Sequence, residues 1–225
     1  AKGKVPVIAG TGANSTDETI MMTKKAKEMG ADAALLVTPY YNKPTQEGLY
    51  RHYKKVAETV NIPIILYNVP GRTGVNLLPQ TVARLTEIKN IVGIKEATGD
   101  LTRFTAMKQS CPEAFIMLSG DDASAIAAME LGAKGEISVT ANIAPGPVAR
   151  MCQLALDGDF TQAKAINQSL VRLHQLLFVE ANPIPVKWAL QQMGRIEGGI
   201  RLPLTPLSTQ HHSALRDALA AAGIL

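Results

Sequence analysis

The stretch Asn90-Ile91-Val92-Gly93-Ile94-Lys95-Glu96-Ala97-Thr98-Gly99-Asp100 decides the fold predicted for this chain of 225 residues. Its apolar run has the length of a β-strand and ends on a lysine, which is followed by small residues and a helix-start signal. If the run is a central strand of an α/β protein, Lys95 lies at the strand's carboxyl end, where such folds build their sites. In apolar surroundings a lysine loses its charge more readily, and the neutral amine is a nucleophile toward carbonyl compounds.

Lys95 also has two ordinary interpretations. Most lysines keep their ammonium group in water, and Lys95 could instead pair with its neighbour Glu96. The choice depends on which residues the rest of the chain brings to the same end of the sheet.

A strand–loop–helix repeat runs from residue 5 to residue 139, with strand starts at intervals of roughly 20 to 30 residues, the length of a βα unit. The strands are continuous apolar runs, which indicates that both faces are covered, as in a parallel sheet. The predicted strands are Val5–Ala9, Ala33–Val37, Pro63–Tyr67, Ile91–Lys95, Phe115–Ser119 and Gly135–Val139. The helices predicted between them are Asp17–Met29, Gln46–Val60, Pro79–Glu87, Leu101–Ser110 and Ala123–Leu131.

After Val139 the sequence carries only helical patterns, predicted as Pro147–Leu156, Phe160–Val179, Ile184–Met193 and Ser208–Ala222. The predicted fold class is therefore α/β, with residues 1–158 as part of a (β/α)8 TIM barrel and residues 159–225 as a C-terminal helical region. Six strands are too few for a closed barrel of eight. Either the sheet is open with six strands, or the barrel lacks its N-terminal portion, and we favour the second.

Composition narrows the possible functions. The net charge is +4 with basic residues scattered along the chain, so we expect no nucleic-acid partner. No apolar stretch approaches the ~20 residues of a membrane span, so we expect no membrane partner. Cys111 and Cys152 stand in unrelated settings and fit buried thiols in a reducing cytosol, which predicts a cytoplasmic protein. The histidines show no metal-ligand spacing, and we expect neither a metal nor a cofactor.

Two residues could assist a nucleophilic Lys95. Tyr67 ends its predicted strand as Lys95 ends the next, and neighbouring parallel strands lie ~4.8 Å apart, so the phenol could shuttle protons to and from the amine. Arg72 lies on a glycine-hinged loop at the same edge and offers a planar fork suited to a carboxylate. Taken alone, Tyr67 would be a core aromatic and Arg72 a surface residue.

Other loops have weaker signals. The segment 10–15 begins Gly-Thr-Gly but lacks the third glycine of a dinucleotide fingerprint, so a tight strand-to-helix turn explains it better. The pair Asp121-Asp122 is better explained by helix capping than by metal binding. Gly120, just before this pair, would let the backbone approach a small ligand closely.

Together these segments resemble the dihydrodipicolinate synthase (4-hydroxy-tetrahydrodipicolinate synthase) family, the pyruvate-dependent Schiff-base lyases of lysine and diaminopimelate biosynthesis within the class I aldolase superfamily. The matching segments are Val37–Asn42, Tyr67–Gly74, Gly93–Gly99, Ser119–Asp122, Ser138–Asn142, Phe178–Lys187 and Leu202–Leu207. The resemblance implies a TIM barrel that condenses pyruvate with L-aspartate semialdehyde to 4-hydroxy-tetrahydrodipicolinate. It also implies a homotetramer built as a dimer of dimers.

The resemblance implies roles for individual residues. The catalytic residues would be Lys95, which forms the imine, Tyr67, which relays protons, and Tyr41, which enters a neighbouring subunit's site. The substrate-binding residues would be Arg72 for the carboxylate of aspartate semialdehyde, with the backbone near Gly120 and Ile137 for pyruvate. In feedback-inhibited members, L-lysine would bind at Asn14, Glu18 and Tyr40.

The family's first two βα units, with their Gly-Thr-Thr-Gly-Glu loop, have no counterpart in this sequence. We therefore expect either a fragment of an active enzyme or a truncated product with little activity. Two alternatives stay open. One is another Schiff-base aldolase, of the N-acetylneuraminate lyase or keto-deoxy-sugar-acid aldolase type, although such enzymes would lack the Gly71–Gly74 element. The other is an inactive paralogue with a structural or regulatory role.

Overall fold

The computed structural model describes Ala1 and residues 3–225. The described residues form two compact units. The first consists of Ala1–Gly120 with Leu131–Lys134, and the second of Asp121–Glu130 with Gly135–Leu225. The boundary predicted at residue 158 separates the barrel from the C-terminal helical region. It does not correspond to the boundary between the two units, and it stays a prediction.

A parallel sheet lies at the centre of the first unit. In the described part of the chain it has five strands, each paired with the next in chain order. They are β1 (Ile8–Gly10), β2 (Ala33–Val37), β3 (Ile64–Asn68), β4 (Ile91–Glu96) and β5 (Ile116–Ser119). Leu36, Leu66 and Ile94 are fully buried, as expected for strands with both faces covered.

Helices connect the strands of this sheet. They are α1 (Thr16–Glu28), α2 (Gln46–Thr59), α3 (Pro70–Thr73), α4 (Pro79–Leu85) and α5 (Leu101–Ser110). Side-chain oxygens cap three of them: Ser15, Thr45 and Asp100 accept N–H groups of the first turn of α1, α2 and α5. The predicted bounds of α5 are confirmed, because Asp100 marks its start. The turn interpretation of residues 10–15 is confirmed as well, since β1 ends at Gly10 and α1 begins at Thr16.

The second unit is helical. It contains α6 (Ala125–Glu130), α7 (Pro145–Leu156), α8 (Phe160–Leu176), α9 (Ile184–Gln192) and α10 (His212–Ala221), with 3-10 turns at Asp122–Ser124, Thr140–Asn142 and Thr209–His211. The four helices predicted after residue 139 are confirmed, with ends displaced by a few residues. Met151, Leu170, Leu173 and Leu215 form part of its core. No helix in the described part of the chain has the length and apolar character needed to cross a membrane.

The sixth predicted strand, Gly135–Val139, is wrong. Only Glu136 forms an isolated bridge there. The backbone N–H groups of Val139 and Thr140 donate instead to the carboxylate of Asp122, at 3.0 and 3.1 Å, and the Ser138 hydroxyl donates to the same carboxylate. A strand needs its N–H groups for a neighbouring strand, and at the end of this segment a side chain takes them instead. The six-stranded description is therefore replaced by five strands.

The first predicted strand, Val5–Ala9, begins later than expected. β1 covers Ile8–Gly10, and the N–H of Val7 donates to Asp32 Oδ2 at 2.7 Å rather than to a strand. A polar side chain again takes a donor that the apolar pattern assigned to the sheet.

Candidate active site

Lys95 and Tyr67 lie side by side at the carboxyl ends of β4 and β3. The two residues are partners in the parallel register, and Lys95 Nζ lies 4.3 Å from the centre of the Tyr67 ring. Burial raises the pKa of the Tyr67 phenol, and the positive charge of Arg72 offsets part of that rise. The phenol is therefore protonated at neutral pH, and it can donate a proton to a group bound at the lysine.

Glu96 points away from Lys95, because successive side chains of a strand lie on opposite faces of the sheet. Its carboxylate is fully buried and accepts a hydrogen bond from Arg103 Nε at 2.8 Å. Asn68 Nδ2 and the N–H of Thr98 donate to the same carboxylate, each at 3.0 Å. A buried carboxylate needs such partners. The pairing of Glu96 with Arg103 thus argues against the interpretation of Lys95 as the partner of Glu96.

The Glu96–Arg103 pair also fixes the neighbouring loop. Arg103 Nη2 donates to the Leu77 carbonyl at 2.5 Å, and the Leu77 N–H donates to Asn68 Oδ1 at 2.9 Å. The ends of β3 and β4 are thereby held against the start of α5. Our sequence interpretation missed this network. The signal was an acidic residue at the end of a buried strand, which requires a cation, and Arg103 is the nearest arginine that follows it.

Gly120 gives Lys95 the space that its side chain occupies. A Cβ atom at Gly120 would lie 2.6 Å from Lys95 Cε and 2.6 Å from Ala97 Cβ, both closer than contact distance. The Gly120 N–H donates to the Glu96 carbonyl at 2.8 Å, so the backbone cannot easily withdraw. The structure therefore brings Gly120 against Lys95.

Arg72 lies in a short helix that the sequence interpretation missed. It was assigned to a loop, whereas Pro70–Thr73 forms α3, with Pro70 at its start and Gly74 at φ +73° at its end. A proline at the first position and a glycine at the end are the usual signals of a helix, and both residues were present in the sequence. Arg72 is exposed, and its charge acts on the Tyr67 phenol, so the two residues share one edge of the sheet.

The loop that carries Tyr40 and Tyr41, called the tyrosine loop below, is hydrogen-bonded to α3. Together with Arg72 it lines an open depression. The Tyr41 N–H donates to the Thr73 carbonyl at 3.1 Å. Tyr41 has φ +74°, a left-handed conformation that is uncommon for a non-glycine residue, and its side chain is 87% exposed. A strained tyrosine presented to solvent fits a contact with another molecule.

Of the three residues predicted to bind L-lysine, the structure connects Asn14 to the loop that carries Tyr40. Asn42 Nδ2 donates to the Asn14 carbonyl at 2.9 Å, which joins Asn14 to the loop that carries Tyr40. Tyr40 is 42% exposed. Glu18 is exposed in the first turn of α1, where its N–H bonds to Ser15. The role of these residues stays a prediction.

Ile137 and the two aspartates belong to the second unit. Ile137 is half-buried, and its predicted role stays a prediction. Asp121 accepts the Ser124 N–H at 3.1 Å, so helix capping is confirmed for it. Across Ala1 and residues 3–225, no group of three or more His, Cys, Asp and Glu side chains could hold a metal ion.

Residues 1–222 match the model of the dihydrodipicolinate synthetase family. The chain belongs to this family. It is 60% identical to the 4-hydroxy-tetrahydrodipicolinate synthase of Methylococcus capsulatus over 225 residues, which cover 100% of this chain and 77% of that protein.

Solved structures agree with the family. The chloride-inhibited dihydrodipicolinate synthase from Acinetobacter baumannii, complexed with pyruvate, has a TM-score of 0.98 and 60% identity, and the match covers 100% of this chain and 77% of that one. The enzyme from Cyanidioschyzon merolae, with lysine bound, has a TM-score of 0.96 and 41% identity, covering 100% and 76%.

These matches establish the class of the protein. The chain has the TIM-barrel α/β fold with a parallel sheet, and it is a lyase of the 4-hydroxy-tetrahydrodipicolinate synthase type, an enzyme of lysine and diaminopimelate biosynthesis. The alternatives of a sugar-acid aldolase or an inactive paralogue are not favoured by relatives that share one name at this level of identity.

Proposed function

We propose that this enzyme condenses pyruvate with L-aspartate semialdehyde through an imine on Lys95. The observation that carries the proposal is the position of the Lys95 side chain, whose amine lies 4.3 Å from the centre of the Tyr67 ring and whose Cε lies against Gly120. A nucleophilic amine needs a proton donor beside it to expel water from the carbonyl adduct, and Tyr67 is such a donor. The pyruvate complex of the Acinetobacter baumannii enzyme supports pyruvate as the first substrate.

The first half of the reaction forms the imine. The neutral Lys95 amine attacks the ketone carbon of pyruvate, and the resulting hydroxyl group leaves as water after it takes a proton from Tyr67. The protonated imine then loses a proton from the pyruvate methyl group to the Tyr67 phenolate, which gives an enamine and restores the phenol. Gly120 contributes space, since any side chain there would displace the Lys95 chain from this position.

The second half joins the two substrates. The enamine carbon attacks the aldehyde carbon of aspartate semialdehyde, whose carboxylate is held by the Arg72 guanidinium. The amino group of the second substrate then attacks the imine carbon and displaces Lys95, which closes the ring and frees the amine. The exposure of Arg72 at the edge of the sheet supports its role with the substrate that arrives second.

We also propose that the enzyme is a homotetramer, a dimer of dimers, in which Tyr41 enters the site of a neighbouring subunit. The exposed, strained Tyr41 supports this assembly. Sedimentation of the wild-type protein and of Tyr41→Ala, with Tyr50→Ala as a control on α2, would test it. We expect Tyr41→Ala to weaken the assembly or lower kcat, and a fully active Tyr41→Ala tetramer would contradict the proposal.

Feedback inhibition by L-lysine at Asn14, Glu18 and Tyr40 is a further part of the proposal. The lysine complex of the Cyanidioschyzon merolae enzyme supports it, as does the hydrogen bond that links Asn14 to the tyrosine loop.

The two free thiols, Cys111 and Cys152, support a cytoplasmic location. The match to solved barrels supports the assignment of the five-stranded sheet to part of a (β/α)8 barrel.

A substrate comparison tests the proposed function. Pyruvate is supplied with aspartate semialdehyde, and separately with N-acetylmannosamine or glyceraldehyde, while pyruvate consumption is followed. We expect pyruvate to be consumed when aspartate semialdehyde is the second substrate, and not with either sugar aldehyde. Faster consumption with either sugar aldehyde would contradict the assignment of Arg72 and favour a sugar-acid aldolase.

A further inference from the structure

A cavity of about 350 Å³ lies within the first unit, beside the C-terminal turn of α5. It touches Phe115 and Met117, at the amino end of β5, whereas Gly120 follows the carboxyl end of that strand. The cavity is therefore separate from the Lys95 site, and its volume falls within the range of small-molecule sites.

The floor of the cavity is apolar. Met107 is fully buried, and Phe115 and Met117 are nearly so. Cys111 adds a thiol to the wall, and burial raises its pKa, with a partly opposing effect from the Ser110 hydroxyl. The thiol is therefore neutral at physiological pH and acts as a small apolar group. Two thioethers and a phenyl ring form a surface that favours a flat aromatic ring, because sulfur–aromatic contacts are attractive.

The rim of the cavity is basic. Lys108, in the last turn of α5, runs beside Gly132, where its Nζ lies 3.7 Å from the position that a Cβ would take. The Lys134 N–H donates to the Met117 carbonyl at 2.8 Å, which fixes the start of the second lysine against β5. Within the described part of the chain neither lysine forms a salt bridge. Glu113 is the acidic group on the rim, so two positive charges face one negative charge.

We propose that this cavity binds a small aromatic carboxylate. The ring lies on Met107, Phe115 and Met117, and the carboxylate is held by Lys108 and Lys134. Glu113 disfavours a second negative charge on the ligand, so a monocarboxylate is preferred over a dicarboxylate. This site is distinct from the one assigned to pyruvate and does not depend on the imine chemistry.

The test uses 4-fluorobenzoate as the probe and fluorine NMR as the measurement. Its binding is compared in the wild-type protein, in the double variant Lys108→Met/Lys134→Met and in the control variant Lys25→Met/Lys55→Met, whose lysines lie on the exposed faces of α1 and α2. We expect the first double variant to bind about fivefold more weakly, since each exposed ion pair is modest. The control should bind as the wild type does. The neutral 4-fluorobenzamide should bind more weakly than the acid.

Alkylation by iodoacetamide locates the bound probe. Peptide mass spectrometry should show that 4-fluorobenzoate slows the modification of Cys111, while Cys152, in the second unit, reacts at an unchanged rate. The proposal is overturned if the probe does not bind, if both lysine variants bind it equally, or if Cys111 gains no protection. These outcomes do not depend on pyruvate trapping at Lys95. Failure of the cavity proposal would therefore not count against the proposed function, which has its own test.

Discussion

Lys95 and Tyr67 are register partners on adjacent parallel strands, and the amine lies over the face of the phenol ring, 4.3 Å from its centre. The backbone ladder between β3 and β4 sets this proximity, so it does not depend on the rotamer of a loop residue. The pair that was inferred from two strand ends is therefore held by the central sheet of the first unit.

Replacement of Tyr67 by Phe should lower kcat while the fold is kept. The ring still covers the Lys95 amine, but the proton donor is lost, and general acid–base catalysis typically contributes about 10²–10⁴-fold. Steady-state kinetics measure the effect, with Tyr50→Phe on α2 as the matched control. A Tyr67→Phe enzyme with wild-type kcat would remove Tyr67 from the proton relay.

Replacement of Gly120 by Ala should impair the reaction at Lys95. The new Cβ would meet Lys95 Cε and Ala97 Cβ at 2.6 Å, so the lysine side chain must move. We expect slower imine formation with pyruvate, measured in a single turnover. Gly146→Ala, where a Cβ has open space, is the control. Equal rates for the two variants would show that the position of Lys95 is not set by Gly120.

Removal of the cation from the buried pair should destabilise the fold. In Arg103→Met the fully buried Glu96 carboxylate loses its partner, and such losses cost about 3–5 kcal/mol in the free energy of unfolding. Urea denaturation measures the change. Glu96→Gln/Arg103→Met should be less destabilised than Arg103→Met alone, because no buried charge is left. Arg51→Met, at an exposed pair with Glu47, should change little.

Stability should fall as the pH drops below 6.5, in part because of His52. Burial lowers the pKa of His52 to about 4 from an ordinary value of 6.5. Its Nε2 is buried without a hydrogen-bond partner among the described residues, while Nδ1 lies 2.9 Å from Thr16 Oγ1. Below pH 6.5 the unfolded chain takes up a proton that the folded state does not take up until about pH 4, so acid favours unfolding.

This loss amounts to about 1 kcal/mol between pH 6.5 and 5.5 for a single group with these two pKa values. The His52→Gln variant should lose that part of the pH dependence, and the difference between the two urea denaturation series isolates it. Identical slopes for wild type and variant over this interval would show that His52 is not buried in the neutral form.

Much of the fold could be predicted from the sequence because its signals are local. The apolar runs gave β2 to β5 to within about a residue at each end, and the Asp100 cap gave the start of α5. The failures arise where a side chain distant in sequence takes a backbone hydrogen bond. Asp122 takes the N–H groups of Val139 and Thr140, and no periodicity within residues 135–139 could reveal it.

In the candidate site as well, some residues could be placed together from local sequence signals, and others only from the structure. Lys95 and Tyr67 could be placed together because each ends a strand, and parallel strands bring their carboxyl ends to one edge. The buried pair of Glu96 and Arg103 was missed, because it joins a strand to the face of the next helix and its one signal was an acidic residue at the end of a buried strand. The space at Gly120 depends on a contact between neighbouring strand ends that only the three-dimensional structure defines.

Reductive trapping of pyruvate tests the imine on Lys95 most directly. The protein is incubated with pyruvate, reduced with sodium borohydride, digested and mapped by mass spectrometry, with the Lys95→Arg variant and a sample without pyruvate as controls. We predict one reduced pyruvate per chain on Lys95, and none in either control. Unmodified Lys95, or a stable adduct on another lysine of the wild-type protein, would contradict the account.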